Sequence, residues 1–143
     1  NFNTPNTSLT LLVDCSTNDG AIIDSLSLIS NEASLTSVKV IAFLSVATSP
    51  AGVTALNTLA VAHATLGSSL GDRVNMSLPA LCVPVPNLAS PAATASAYPS
   101  ETDKKNTGIY VPSGATLFVG TSAAITAPSA ASRVNVFAQG GFF

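Results

Sequence analysis

Gly108-Ile109-Tyr110-Val111-Pro112-Ser113-Gly114-Ala115-Thr116-Leu117-Phe118-Val119-Gly120 is the stretch from which the fold can be read. Two runs rich in β-branched and aromatic residues flank Pro112-Ser113-Gly114. There proline presets one backbone angle and glycine accepts conformations closed to other residues, so the stretch predicts strand, turn and strand. The same pattern continues toward the C-terminus. Arg133-Val134-Asn135-Val136-Phe137-Ala138 alternates with the period of two of a half-buried strand, ahead of Gln139-Gly140-Gly141-Phe142-Phe143. Toward the N-terminus, Val38, Val40, Ala42, Leu44 and Val46 form one face of the run Leu35 to Val46. Its second face, Lys39, Ile41, Phe43 and Ser45, is mixed and expected to be partly covered. Leu26 and Leu28 alternate with Ser25 and Ser27, and Leu9 to Val13 is a short apolar run. Asp19-Gly20 between these two segments predicts a hairpin.

The middle of the chain is less decided. Val53 to Leu66 places Val53, Leu56, Leu59, Ala60 and Ala64 near helical spacing, but its Thr and Val residues dilute helix propensity, and helix and strand stand equal there. Arg73 to Leu78 reads as a strand. Pro79, Pro84 and Pro86 follow, and proline restricts that piece to a sheet edge or an extended linker. Residues 87–107, with Pro91, Pro99 and the charge group Glu101, Asp103, Lys104 and Lys105, form a long loop, a length that goes with a binding or packing role. Seven or eight short strands with Pro/Gly turns predict an all-β protein, an antiparallel β-sandwich or jelly roll. It occupies 9–143 as a single domain behind a flexible arm, 1–8.

Composition narrows the function classes. Of 143 residues only 8 % are charged, five basic and seven acidic, against about 25 % in an ordinary soluble domain. Ala, Ser and Thr together supply 56 residues, so the surface is small-featured, neutral and weakly polar. Net charge is −2, and Lys39, Arg73, Lys104, Lys105 and Arg133 are scattered, which gives no footprint for a phosphate backbone; nucleic acid is not an expected partner. The longest uncharged stretch, Val40 to Gly71, is broken by Ser49-Pro50-Ala51-Gly52 and Gly67-Ser68-Ser69, and the piece between holds His63, Asn57 and three Thr. No membrane-spanning helix is expected.

Each candidate chemistry in the sequence has a structural role beside it. Nucleophilic catalysis would rest on His63, the only histidine, which sits among Val, Ala, Thr and Leu without a glycine-elbow pattern and reads as structural. Glu101 and Asp103 resemble a carboxylate pair, but beside Lys104 and Lys105 they read as solvated charges. Asp14, Asn18, Asp19 and Asp24 miss the spacing of a calcium loop and read as turn formers. Cys15 and Cys82, 67 positions apart with one histidine in the chain, cannot complete a zinc site; buried thiols are favoured over a disulfide. Gly114 and Gly120 lack the lysine of a phosphate loop, and the sequons at Asn6 and Asn75 are short enough to arise by chance. With no Trp and only Tyr98 and Tyr110, a sugar-stacking platform is thin. No catalytic residue, cofactor or metal is assigned.

The stretch Ile109 to Val119, followed by Val134-Asn135-Val136-Phe137-Ala138-Gln139-Gly140-Gly141-Phe142, resembles the C-terminal end of small virion proteins of tailed phages. In these a Val/Leu-Pro-x-Gly-x-x-Leu hairpin precedes a last strand ending in Gly-Gly-aromatic. The resemblance covers about a quarter of the chain. It implies a jelly-roll capsid decoration, or cement, protein: a non-enzymatic homotrimer on the capsid exterior, bound where subunits of the major capsid protein meet. Composition agrees, because interfaces are depleted in Lys and Glu, whose side chains lose most entropy on being covered. Phe2, Asn3, Thr4, Pro5 and Asn6 of the arm, with Phe142 and Phe143, are the expected interface residues. They would dock on neighbouring subunits or, alternatively, fold back on their own sandwich. The other function class is an adhesin or carbohydrate-binding module using the 87–107 loop.

Overall fold

The computed structural model describes residues 9–31, 38–54, 56–66, 69–76, 83–84, 108–121 and 134–143. The arm 1–8 and the loop 87–107 lie outside the described residues, as do 35–37 and 77–78 of the predicted strands. Among these residues nine strands follow in chain order: β1 (Thr10–Asp14), β2 (Gly20–Ser30), β3 (Lys39–Ser45), β4 (Thr58–Thr65), β5 (Arg73–Met76), β6 (Val83–Pro84), β7 (Ile109–Pro112), β8 (Thr116–Thr121) and β9 (Val134–Phe142). A single 3₁₀ turn, Pro50–Gly52, lies between β3 and β4. All pairings are antiparallel, so the expected all-β class stands.

The strands make two sheets. The first has the order β1-β8-β3-β4-β6. In the second, β2 is central: β9 runs along its whole length on one side, while β5 (on Leu26–Ile29) and β7 (on Gly20–Ile23) share the other side end to end. Residues from both sheets, among them Val13, Ile23, Leu26, Leu28, Val40, Ala62, Val111 and Leu117, close a common core between them. Each large aliphatic side chain so buried contributes about 1.5–3 kcal/mol.

The Asp19-Gly20 hairpin is not formed. β1 belongs to the first sheet and β2 to the second, so residues 15–19 turn a corner between sheets. The Pro112-Ser113-Gly114 turn does the same between β7 and β8, and glycine is required there because Gly114 has φ +80°. The two corners are bonded to each other: Cys15 N–H donates to Ala115 O at 3.0 Å, and Gly114 N–H donates to Cys15 O at 2.8 Å. The β1/β8 ribbon therefore continues as the β2/β7 ribbon, the nested pairing from which jelly rolls are built. The β3–β4 pair, by contrast, stays within one sheet.

Three bulges adjust which residues face the core. An extra residue on one strand of a pair leaves two residues opposite one and shifts the alternation. Asp24 is the extra residue of β2 against β9, so Ala21 and Ile23 before it, and Leu26 and Leu28 after it, all face inward. Leu12 plays this part in β1 and Val61 in β4.

The 53–66 segment resolves as strand over Thr58–Thr65, with its first residues in the loop that covers the outer face of the first sheet. Ile41 and Phe43, from the face expected to be partly covered, are fully buried there with Phe118, Leu9, Ala47, Val53 and Ala60. Buried hydroxyls tie that loop down. Thr116 Oγ1 lies 2.6 Å from Ala47 O and 3.2 Å from Ser45 O, while Ser45 Oγ donates to Asn57 O at 3.0 Å. Asn57 Nδ2 reaches Gly52 O at 2.8 Å. Pro84, as proline requires, is at a sheet edge.

β9 continues through Gly140 and Gly141 to Phe142, beyond the alternating part of its sequence. A Cβ on Gly140 would run into the Ile22 carbonyl oxygen, whereas one on Gly141 meets nothing within 4 Å. Gly140→Ala should therefore cost about 1–3 kcal/mol and Gly141→Ala less than about 0.5 kcal/mol, as measured by denaturant unfolding. Thr116→Val, which removes the hydroxyl that donates to the Ala47 carbonyl, should cost about 1–3 kcal/mol in the same assay.

Candidate interaction surface

A site must be sought where this sandwich leaves chemistry exposed. Charge is scarce, and what the surface offers is apolar. Tyr110 is 55 % exposed, Phe137 54 %, Phe142 60 %, Phe143 64 % and Ile22 39 %, all carried by β2, β7 and the β9 end of the second sheet. Alternation explains part of this. Tyr110, Ile22 and Gly141 lie in one row across the sheet on its outward face, and Ser27 and Phe137 lie in another. Tyr110 and Phe143 meet with ring centroids 6.3 Å apart and planes at 47°, a tilted arrangement within the favoured range for aromatic pairs.

Of the expected interface residues, Phe2, Asn3, Thr4, Pro5 and Asn6 lie outside the described residues. Phe142 and Phe143 are described. Their backbone folds back on its own sheet, with Ala21 opposite Phe142 and Phe143 N–H donating to Gly20 O at 3.1 Å. Their rings nonetheless stay out in solvent. Their place at the chain end marks these two rings in the sequence; Tyr110 stands out there only as one of two tyrosines, and nothing marks Phe137 and Ile22 as exposed. Period-two alternation alone does not distinguish the solvent face of a sheet from a second covered face.

The other candidate residues take structural positions. His63 is buried on β4 opposite Ile41 of β3. Asp14 Oδ1 accepts from Ser16 N–H at 2.8 Å, and Asn18 Nδ2 donates to Asp14 O at 3.3 Å, so both shape the corner after β1. Asp24 is the bulge residue, exposed on β2. Cys15 is a buried free thiol, its pKa pushed up by burial and then by the neighbouring Asp14 carboxylate. Cys82, Glu101 and Asp103 lie outside the described residues. Among the described residues no group of three or more His, Cys, Asp or Glu is placed to hold a metal ion, and no helix is long and apolar enough to cross a membrane.

One further concavity lies at an end of the first sheet. It is an open apolar depression of about 540 Å³ between Leu44, Val46, Leu56, Leu59, Pro112 and Ala115. Among the described residues its lining contains no titratable side chain.

Comparison with protein-family models, with curated proteins and with solved structures finds no match for this chain.

Hydrogen bonding from Ser16 holds the Asp14 carboxyl below its ordinary pKa. A carboxyl whose pKa is lowered on folding adds stability above its unfolded pKa and loses it as pH falls through the folded value. Asp14→Ala should therefore be less stable than the parent at pH 7. The gap should close as pH is lowered below about 4, the range of an unperturbed aspartate, read as converging denaturation midpoints.

Proposed function

We propose that this protein is a non-enzymatic structural component of a virion, decorating the outside of a viral capsid and stabilising it by binding the major capsid protein and its own copies. The observation that carries this reading is the exposed, uncharged aromatic surface at the C-terminal end of a sandwich whose whole sequence is poor in charge. On a lone monomer such rings are a liability; covered by a neighbour they are contact area. Small neutral side chains suit the same task, since Ala, Ser and Thr have little rotamer freedom to lose when another surface closes over them. The likeness of residues 109–119 and 134–142 to phage virion proteins supports the same class of partner and a trimeric arrangement on the shell. Phe2 to Asn6 would reach the capsid as an arm, with Phe142 and Phe143 packing on adjacent subunits.

A second reading, an adhesin or carbohydrate-binding module, is favoured by one feature. The tilted Tyr110–Phe143 pair, with exposed Asp24 on the adjoining strand, offers an exposed ring and a polar neighbour of the kind sugars use. Binding on a glycan array that is lost with Tyr110→Ala would support it over the capsid reading.

Removing residues 1–8 should leave the circular dichroism spectrum and melting temperature unchanged and weaken co-sedimentation with purified, undecorated tailed-phage capsids at least tenfold. Unaltered co-sedimentation would remove the arm from the contact. Failure of the full-length chain to sediment with any such capsid would count against the capsid reading itself.

A further inference from the structure

Among the described residues, each sheet edge except one carries a feature that discourages another strand from adding to it. β6 is two residues long and ends in Pro84. β5 is four residues long and begins with Arg73; β7 is four residues long and ends in Pro112. β1 has five residues, is bulged at Leu12 and ends in Asp14. Shortness, proline, bulges and charge are the devices by which proteins blunt edges. β9 has none of them. It is nine residues long, Val134-Asn135-Val136-Phe137-Ala138-Gln139-Gly140-Gly141-Phe142, without proline or charge. Its register against β2 is interrupted only by the extra residue on β2, so β9 itself is regular. Its side chains are exposed or half-buried throughout, and among the described residues no strand pairs with its far side.

We infer that this edge is an interface between two copies of the chain, in which β9 pairs antiparallel with β9 of the second copy about a two-fold axis through Ala138. A strand is self-complementary about such an axis, and without charge along β9 no like charges oppose each other. The faces restrict the register. Val134, Val136, Ala138, Gly140 and Phe142 share the inward side with Ala21, Ile23, Leu26, Leu28 and Ser30, while Asn135, Phe137, Gln139 and Gly141 face outward. A one-residue slip would set inward against outward residues.

Centring on Ala138 keeps all nine residues paired. Val134 then lies opposite Phe142 of the second copy, Asn135 opposite Gly141, Val136 opposite Gly140 and Phe137 opposite Gln139. Each glycine faces a larger residue, and the space beside Gly141, open to 4 Å, receives the Asn135 side chain. Phe137 falls diagonally across from Gly141 of the second copy, within reach of an aromatic ring.

The flank of the sandwich agrees. β1 and β9 lie at the same side, and two shallow, mainly apolar depressions of about 240 and 190 Å³ run between them, lined by Leu12, Val134 and Val136 and by Val13, Ala138 and Phe142. A second copy set against this side covers both. Nine residues at about 3.4 Å make a strip of about 31 Å, and two sheets about 10 Å apart with their side chains make it about 20 Å deep. That is about 600 Å² per copy and about 1,200 Å² in all, the lower bound for a stable interface. The inference does not depend on the capsid reading. It is compatible with it, since two-fold axes separate three-fold sites on a closed shell.

The test is self-cross-linking in a Cys82→Ser background. Ala138→Cys should give a covalent dimer as the main species on a non-reducing gel, because residues opposite each other have Cα atoms about 4.5–5.5 Å apart, within disulfide reach. Asn135→Cys and Gly141→Cys should each stay monomeric on the gel, about 20 Å from their own copies at six residues' separation, yet cross-link when mixed. Light scattering of the parent protein should give an even number of 14.3 kDa chains. Ala138→Lys, which sets like charges across the axis, should halve that mass with an unchanged circular dichroism spectrum. No Ala138→Cys dimer, equal self-cross-linking at position 135, or a native mass of one or three chains would overturn the inference, and none of these outcomes bears on capsid co-sedimentation.

Discussion

The two hydrogen bonds between Cys15 and the Gly114–Ala115 pair are the constraint on which the architecture depends. They join the two points at which the chain leaves one sheet for the other. Because each corner supplies a donor to the other, β1 and β8 are in register on one side of the bend, and β2 and β7 on the other. A corner alone would cost the chain its backbone partners for several residues, and buried backbone groups left unpaired are expensive. Here the corners serve as each other's partners, and Cys15 turns its side chain into the core between the sheets.

From that bend the two sheets acquire different characters. The first is buried on both faces, by the common core on one side and by the 46–57 loop on the other, with Ser45, Asn57, Thr58 and Thr116 satisfying the polar atoms that the loop brings inward. Among the described residues the second is covered on one face only, and its outer face shows Ile22, Tyr110 and Phe137 to solvent. The low charge of the chain has a different consequence in each. In the first sheet it permits burial from both sides; in the second it leaves exposed aromatic rings among mostly neutral polar side chains, and an edge at β9 without charge.

That asymmetry connects the fold to its proposed role. Few charges, small side chains and, among the described residues, one long unprotected edge give this protein a surface suited to being covered. The capsid reading and the β9 pairing draw on this same property at two scales, the whole surface and one strand.

Much of this was legible in the amino-acid order, and the boundary of what was legible is physical. Period-two alternation at 26–28, 38–46 and 134–138 fixes strands locally, because each residue's side of a pleat is set by its neighbours. Pro112-Ser113-Gly114 marks a turn for equally local reasons, and Pro84 an edge. Partners are not local. A turn signal such as Asp19-Gly20 states that the chain reverses, but it is silent on whether the flanking strands bond to each other or pass to opposite sheets, which depends on residues about a hundred positions away at Gly114 and Ala115. Bulges at Leu12, Asp24 and Val61 likewise exist only relative to a partner strand, and Val53 to Leu66 has a pattern compatible with helix until β3 claims Thr58–Thr65. Composition and alternation thus determined an all-β chain with a charge-poor surface. Tertiary structure decided which strands meet, which face is left open and which edge is left bare, because those are properties of pairings between distant segments that a single strand's sequence does not contain.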